Sequence, residues 1–512
     1  MKEISLKEDM ENIQALTDIS QENMNEFPDM SQEYTHKFPD MLRENTKISS
    51  NMSQEIMHQL PDKSKENMRA LPDYVCKTID ILKNANYEAY LVGGCVRDLL
   101  MGTLPNDYDI TTNALPDEIK EVFKEYRTID VGIQYGTVCV VVDGHNIEIT
   151  TYRIDGRYRD NRHPDKVIFT ANITDDLSRR DFTINAIAYD GENIIDPFNG
   201  KKDIENRIIR CVGDAYERFD EDALRIMRAL RFSSALKFNI EKNTEEICFE
   251  LADSLKNISA ERLHTELNKL LLGDDVYKVL SEYHPILSVF IPEIKPCIAF
   301  DQKTVYHIYD VWRHISKAVA SSPKSLRIRL TMLFHDLAKP LVYTTDEMGS
   351  RHFFGHAEES SKIANVIMKR LCYDKKTIKN VTLLVKYHDH NNRNVNDPRV
   401  IKRFLSIIGE ENYFLLLDVK LADTSAKSSL AYYVREKCEL AALEVSRILT
   451  NGDPYLISHL EVNGYDLTQL GFKGEKIRQM LNFILTSVIE EDISNDRDKL
   501  LTYAKKMLDK GF

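Results

Sequence analysis

Apolar residues between Tyr74 and Asn86 recur at helical spacing, so this stretch is expected to be an amphipathic helix. From residue 87 the period shortens. Tyr87–Val92 reads as a strand, Gly93-Gly94 as a turn into a short helix over Cys95–Leu100, and Asp107–Thr111 as a second strand. Thr137–Val142 and Asn146–Tyr152 flank Asp143-Gly144, a pair that favours the tight turn of a β-hairpin. Arg179–Asp190 is expected to be a helix ending near Gly191. Beyond residue 200 the helical period dominates, most clearly in Asp220–Phe238 and Ala260–Leu272, and it persists from 300 to 512. The pattern predicts an α/β head followed by an all-α remainder.

The first 70 residues follow a different rule. Ser20–Asp29, Ser31–Asp40, Ser53–Asp62 and Ser64–Asp73 repeat one unit, with proline returning at an 11-residue period and a degenerate copy at 42–52. Regular proline interrupts any long helix, and no run is apolar enough for a core. This segment is expected to be a flexible or partly helical extension. It holds 14 acidic and 8 basic side chains, so nearly half of the formal net charge of −13 lies outside the α/β and helical regions. The remainder is close enough to neutral for a local basic surface to bind nucleic acid. No apolar run approaches the ~20 residues of a membrane helix, and no secretory h-region opens the chain. The eight cysteines are scattered singly, without a CxxC pair, which argues against a disulfide framework and for a reducing, cytoplasmic setting. Nothing in the pattern sets an oligomeric state.

Candidate chemistry concentrates in the head. Asp107 and Asp109 stand two apart on an expected strand, so both carboxylates share a face. Two carboxylates aimed at one point repel unless cations lie between them, and magnesium suits oxygen ligands that also meet substrate phosphates. A pair of ions there would activate an attacking hydroxyl and stabilise leaving pyrophosphate. Glu148, between Ile147 and Ile149, points away from its apolar neighbours and is a candidate third ligand. Gly93 and Gly94, between strand and helix, would let backbone N–H groups approach a phosphate.

Together, Leu91–Thr112 resembles the first motif of the class II CCA-adding enzyme and poly(A) polymerase family of polymerase-beta-like nucleotidyltransferases. Further motifs follow in order. Tyr152–Pro164 resembles the family's flexible loop, Arg179–Asn185 its second motif, Asp196–Gly200 a hinge-like third, Glu221–Arg225 a base-selecting fourth, and Glu261–Glu266 a fifth that buttresses it. The resemblance implies nucleotide contacts from Gly93, Gly94, Arg97, Arg179, Arg180, Asp181, Asn185, Asp222, Arg225 and Arg228. It also implies base selection by Glu221, Asp222 and Arg225. Asp222 and Arg225 stand at i and i+3 on one expected helix and so share a face, which sets a carboxylate acceptor beside a forked donor. Such a pair would accept the exocyclic amine of C or A and reject the carbonyls of U and G. Arg225, Arg228 and Arg231 would form a basic stripe for RNA.

A second constellation lies downstream. His314, His335-Asp336 and Asp423 fall on separate expected helices, with His356 and His388 between them. The order resembles an HD phosphohydrolase domain and implies a second divalent metal and phosphoester hydrolysis. The expected organisation is therefore an extension (1–70), a nucleotidyltransferase head (71–205), a helical neck that binds RNA and selects the base (206–300), an HD-type domain (301–440) and a helical tail (441–512). The expected activity is addition of C, C and A from CTP and ATP to tRNA, with Mg2+ and without a nucleic-acid template or a membrane. The rivals are a poly(A) polymerase of the same family, an HD phosphohydrolase with a nucleotide-sensing head, and a noncatalytic RNA scaffold. Glu221-Asp222 resembles the CCA-adding form of the fourth motif, where the poly(A) branch more often carries Asp-Pro.

Overall fold

The computed structural model describes residues 71–130, 132–156, 167–390 and 394–512. The N-terminal repeat, apart from its last residues, and the Tyr152–Pro164 loop from Arg157 onward lie outside these. The first helix, Asp73–Asn84, buries Val75, Ile79 and Leu82. It leads into a seven-stranded sheet built from β1 (Ala89–Val92), β2 (Asp109–Thr112), β3 (Arg127–Ile129), β4 (Thr137–Val142), β5 (His145–Thr151), β8 (Ala188–Tyr189) and β9 (Ile194–Ile195). A separate hairpin pairs β6 (Arg153–Asp155) with β7 (Val167–Phe169). The sheet order is β3-β4-β5-β2-β1-β8-β9. All neighbours are antiparallel except β2 and β5, which run parallel with Asp109 opposite Glu148.

The β4–β5 hairpin turns at Asp143 and Gly144, both at positive φ, as the sequence predicts. Alternation sends Ile147, Ile149 and Thr151 into the core and leaves Glu148 exposed on the other face. Arg179–Asp190 is not a helix. The helix here is Ile173–Ser178, followed by a turn of 3-10 helix at Thr183–Asn185 and by β8. Residues 182–189 are buried without interruption. An amphipathic helix would leave one face to solvent, whereas a chain buried on all sides suits the sheet margin. Gly200 packs against this turn so closely that a Cβ would lie 2.1 Å from the Thr183 carbonyl oxygen. The Asp196–Gly200 motif is thus a packed corner, closed by Asp196 accepting from the Gly200 and Lys201 amides at 2.7 and 2.9 Å.

The expected helix over Asp220–Phe238 is two helices, Ala215–Glu221 and Leu224–Leu236. Asp222 between them is extended, with φ −143° and ψ 98°. Its carboxylate accepts from the Leu224 amide at 3.1 Å, the local bond by which aspartate competes with a continuous helix. Ala260–Leu271 packs on Leu224–Leu236. A continuous apolar core runs from Val75 to Ala426. A second core joins Leu384 to Tyr455, and a third joins Leu460 to Ala504. The helix Tyr433–Asn451 crosses the boundary expected at 440. Among the described residues no helix is long and apolar enough to cross a membrane.

Candidate active site and a second metal-ligand cluster

At the head, Tyr108 is buried between Asp107 and Asp109 and meets Tyr74 edge-on at 6.3 Å. Asp109 begins β2 and lies in register with Glu148 of β5. Asp107 precedes the strand, a small shift from the expected start. The Asp109 carboxyl is raised above its usual range, first by burial, then by the charges of Glu148 and Asp107, while Arg180 opposes the shift. Three carboxylates thus lie together at the central β2–β5 pair of the sheet, and their mutual repulsion is what divalent cations would relieve.

Gly93 turns from β1 into the helix Gly94–Leu100 at φ +80°, and a Cβ there would come within 3.2 Å of Arg180 Nη1. Only glycine accepts both conditions comfortably. The remaining candidates form a connected network. Arg97 donates to Asn185 Oδ1 at 2.8 Å and to Asp98 Oδ1 at 2.7 and 2.9 Å. Asn185 donates to Asp181 Oδ1 at 3.1 Å, and Arg228 closes on Asp181 Oδ2 at 2.7 Å through Nε. Burial would raise Asp181, but the charge of Arg228 and bonds from Asn185 and Arg228 hold it down at about 2. Arg179 and Arg180 both donate to the buried Asp176, at 2.7 and 3.2 Å. Sequence reasoning missed Asp176, although its position three and four residues before the arginines is the signal for it.

The fourth motif differs from expectation. Because Asp222 sits in the break, it does not share a helix face with Arg225. Asp222 Oδ2 instead accepts from Arg262 at 2.7 Å. Arg225 is buried and donates to Glu221 at 2.7 Å and to the Arg218 and Arg179 carbonyls, each at 3.1 Å. The expected arginine stripe is likewise turned inward: Arg225 pairs with Glu221, Arg228 with Asp181 and Arg231 with Glu266. Arg97, Arg228 and Arg231 also surround the Phe232 ring. Burial and the Arg228 charge lower Arg231 to about 10. These arginines are committed to the protein interior rather than laid out along a surface.

The second constellation assembles as six residues from five helical segments. His314 lies on Val311–Ser321, His335-Asp336 follow Leu326–Phe334, His356 starts His356–Arg370, His388 ends Lys375–Tyr387, and Asp423 lies on Glu410–Ser425. Asp336 divides its two oxygens. Oδ2 lies 3.2 Å from Nε2 of both His314 and His335, and Oδ1 lies 3.3 and 3.5 Å from Nε2 of His356 and His388. Asp423 Oδ1 lies 3.0 Å from His314. Each ring is oriented from behind by a carbonyl at Nδ1: Ala426 at 3.1 Å, Met332 at 2.7 Å, Phe353 at 2.7 Å and Val385 at 2.8 Å.

If Nδ1–H donates backwards, each Nε2 presents a lone pair. Lone pairs would then face one another at 3.2 Å across His314–His335 and His356–His388. Asp336 accepts no well-formed hydrogen bond at either oxygen, nor does Asp423 at Oδ1. Lys339 Nζ lies 2.6 Å from Asp336 Oδ2 and Lys427 Nζ 2.6 Å from Asp423 Oδ2, which offsets part of the charge, and His335 is raised to about 9: burial opposes its proton, while Asp336 and Asp423 retain it. One proton cannot satisfy four rings. Two ligand groups that share Asp336 fit two cations bridged by one carboxylate. A cavity of about 380 Å³ opens over this cluster.

A seven-stranded mixed sheet with an acidic cluster at its central strands, a glycine turn and a helical neck defines a nucleotidyltransferase head. A family model described as Poly A polymerase head domain matches residues 89–210, and one described as Probable RNA and SrmB- binding site of polymerase A matches 237–298. The CCA-adding enzyme of Lactiplantibacillus plantarum is 33% identical over 435 residues, 84% of this chain and 95% of that protein. This chain belongs to the CCA-adding enzyme family. The match to the enzyme of Lactobacillus helveticus is 50% identical over 207 residues, 40% of this chain, and spans only about half (51%) of that relative. The crystal structure of the Bacillus stearothermophilus CCA-adding enzyme in complex with CTP superposes with a TM-score of 0.65 at 28% identity, covering 85% of this chain and 97% of that one.

Proposed function

We propose that this protein is a cytoplasmic tRNA nucleotidyltransferase that adds C, C and A to the tRNA 3′ end from CTP and ATP without a nucleic-acid template. The observation that carries this reading is the cluster of Asp107, Asp109 and Glu148 beside Gly93 and Arg180, in a chain of this family. The RNA 3′-hydroxyl oxygen bonds to the α-phosphorus, the α–β anhydride bond breaks, and pyrophosphate leaves. Magnesium held by Asp107 and Asp109, with Glu148 behind them, would neutralise the charge that builds on the phosphates. Arg179 and Arg180, oriented by Asp176, face the phosphates, and the Arg97–Asn185–Asp181–Arg228 chain fixes the floor beneath the sugar. Glu221 and the two carbonyls hold the Arg225 fork, and Arg262 holds Asp222, so the base-reading groups are fixed before nucleotide arrives. Eight free cysteines, none paired, fit a reducing compartment. Asp107→Ala is expected to lower CTP incorporation into tRNA ending before CCA by roughly 10³-fold, a loss of several kcal/mol of charge stabilisation. Near-normal incorporation would remove Asp107 from the metal site.

A second reading applies to the helical half, and the shared Asp336 favours it. His314, His335, Asp336, His356, His388 and Asp423 would hold one or two divalent transition metals and support hydrolysis of a phosphoester. Metal analysis of purified protein should find one to two equivalents beyond the head's magnesium, falling to the level of a chelated sample in Asp336→Ala. Equal metal content in the two proteins would show that the cluster is a scaffold.

A further inference from the structure

The carboxylates of the head stand on one face of the sheet, and a contact on the opposite face joins the two segments that carry them. Side chains alternate along a strand, so Tyr108 lies behind Asp107 and Asp109, and His145 lies on the face opposite Glu148. The first helix, Asp73–Asn84, packs on that rear face and buries Val75, Ile79 and Leu82 in the same core as Ile110, Ile147 and Ile149. Tyr74 in its first turn is half-buried. The Tyr74 ring meets Tyr108 edge-on, with 6.3 Å between centroids, and stacks on His145 at 4.1 Å with 8° between planes. One side chain therefore touches both the segment that carries Asp107 and Asp109 and the strand that carries Glu148. One turn further, Lys77 pairs with Asp143 at 2.8 Å, in the turn that precedes this strand. The residue after Pro-Asp is Met30, Met41 and Lys63 in upstream copies of the repeat, and tyrosine in the copy that meets the sheet.

We propose that Tyr74 is a positioning residue for the metal-binding carboxylates, acting through Tyr108 and His145 to fix the spacing between the Asp107–Asp109 segment and Glu148. The proposal rests on reading those carboxylates as a magnesium site and adds the residue that sets their geometry. Asp107 precedes β2 and lies outside its ladder, which begins at Asp109. Without the ring behind Tyr108, repulsion among three carboxylates is free to spread them, and a cation has to draw them together again. The loss falls on metal affinity rather than on the reaction once metal is bound.

The test compares the wild type with Tyr74→Ala, Tyr74→Met and Tyr74→Phe, all as full chains. Tyr74→Met fills most of the space and serves if Tyr74→Ala does not fold. Val75→Ala is the control, because it loosens the same helix without removing either ring contact. Mn2+ binding is followed by the EPR signal of the free ion, and the component assigned to the head is the one lost in Asp107→Ala. Its dissociation constant should rise about tenfold in Tyr74→Ala and Tyr74→Met, the lower end for a residue behind metal ligands. Tyr74→Phe keeps both ring contacts and should bind as the wild type does. Val75→Ala should lower the melting temperature and leave that constant unchanged. In CTP incorporation, the half-saturating Mg2+ should rise in step while the rate at saturating Mg2+ is retained. Wild-type Mn2+ affinity in Tyr74→Ala and Tyr74→Met, or an equal loss in Val75→Ala, overturns the positioning role and leaves the metal site standing. Identical Mn2+ titrations of the wild type and Asp107→Ala overturn the metal site itself.

Discussion

Asp222 carries the most specific consequence of the structure. The sequence pairs it with Arg225 on one helix, but its carboxylate is anchored by Arg262, forty residues later in the chain. A carboxylate held at one oxygen by an arginine and at the other by the Leu224 amide is fixed in orientation, which a free side chain at a helix surface would not be. If Asp222 reads the base as proposed, Arg262 is the residue that positions it. Arg262→Ala and Asp222→Ala should both raise UTP incorporation relative to CTP by about tenfold or more, the range of one bidentate base contact. The readout is the ratio of kcat/KM for the two nucleotides. A loss of rate without a change in that ratio would make Arg262 merely structural. The placement of single residues was largely legible from sequence: Asp109 comes into register with Glu148, and the six histidine and aspartate residues converge as their motif order implies. Their partners were legible only in part. Arg262 and the Ala426 carbonyl behind His314 come from contacts that no local spacing encodes, whereas Asp176 and the other three carbonyls lie within one helical turn of the residues they hold.

Asp181 joins two elements, the turn Thr183–Asn185 and the helix Leu224–Leu236, through Asn185 and Arg228. Its folded value lies near 2, below the usual carboxylate value, so folding favours the charged form. The stability it provides is complete above about pH 4 and is lost as pH falls through about 2. That linkage is worth about 2 kcal/mol. The difference in urea midpoint between the wild type and Asp181→Asn should shrink as pH is lowered from 5 towards 2, and a constant difference would mean that Asp181 is not charged in the fold. The elements themselves were read unevenly. The β4–β5 hairpin and the helices at 73–84 and 260–271 have one buried and one exposed face, and period alone identifies them. Residues 179–190 failed because burial on every side erases the period. Residues 220–238 failed because apolar spacing continues through the break, and only the side-chain bond of Asp222 marks it.

In the whole molecule, the carboxylate cluster of the head and the histidine–aspartate cluster share one continuous core from Val75 to Ala426. His264 reaches the Leu371 carbonyl at 2.6 Å, and Tyr373 reaches Asn268 at 2.6 Å. The helix that carries Arg262 thus packs on the end of the helix that begins at His356. Sequence divided these regions into neck and HD-type domain, because motif series and period say nothing about shared packing. Their close packing does not merge their chemistry, since each site draws on its own carboxylates. The central claim remains the reaction at the head. The most direct measurement supplies labelled CTP and ATP, singly and together, to tRNA transcripts ending before CCA, after C and after CC. The account predicts two C additions from CTP alone, one A on the transcript ending in CC, and termination after A when both are present. Long adenosine tails on any RNA, or no incorporation with magnesium present, would contradict it.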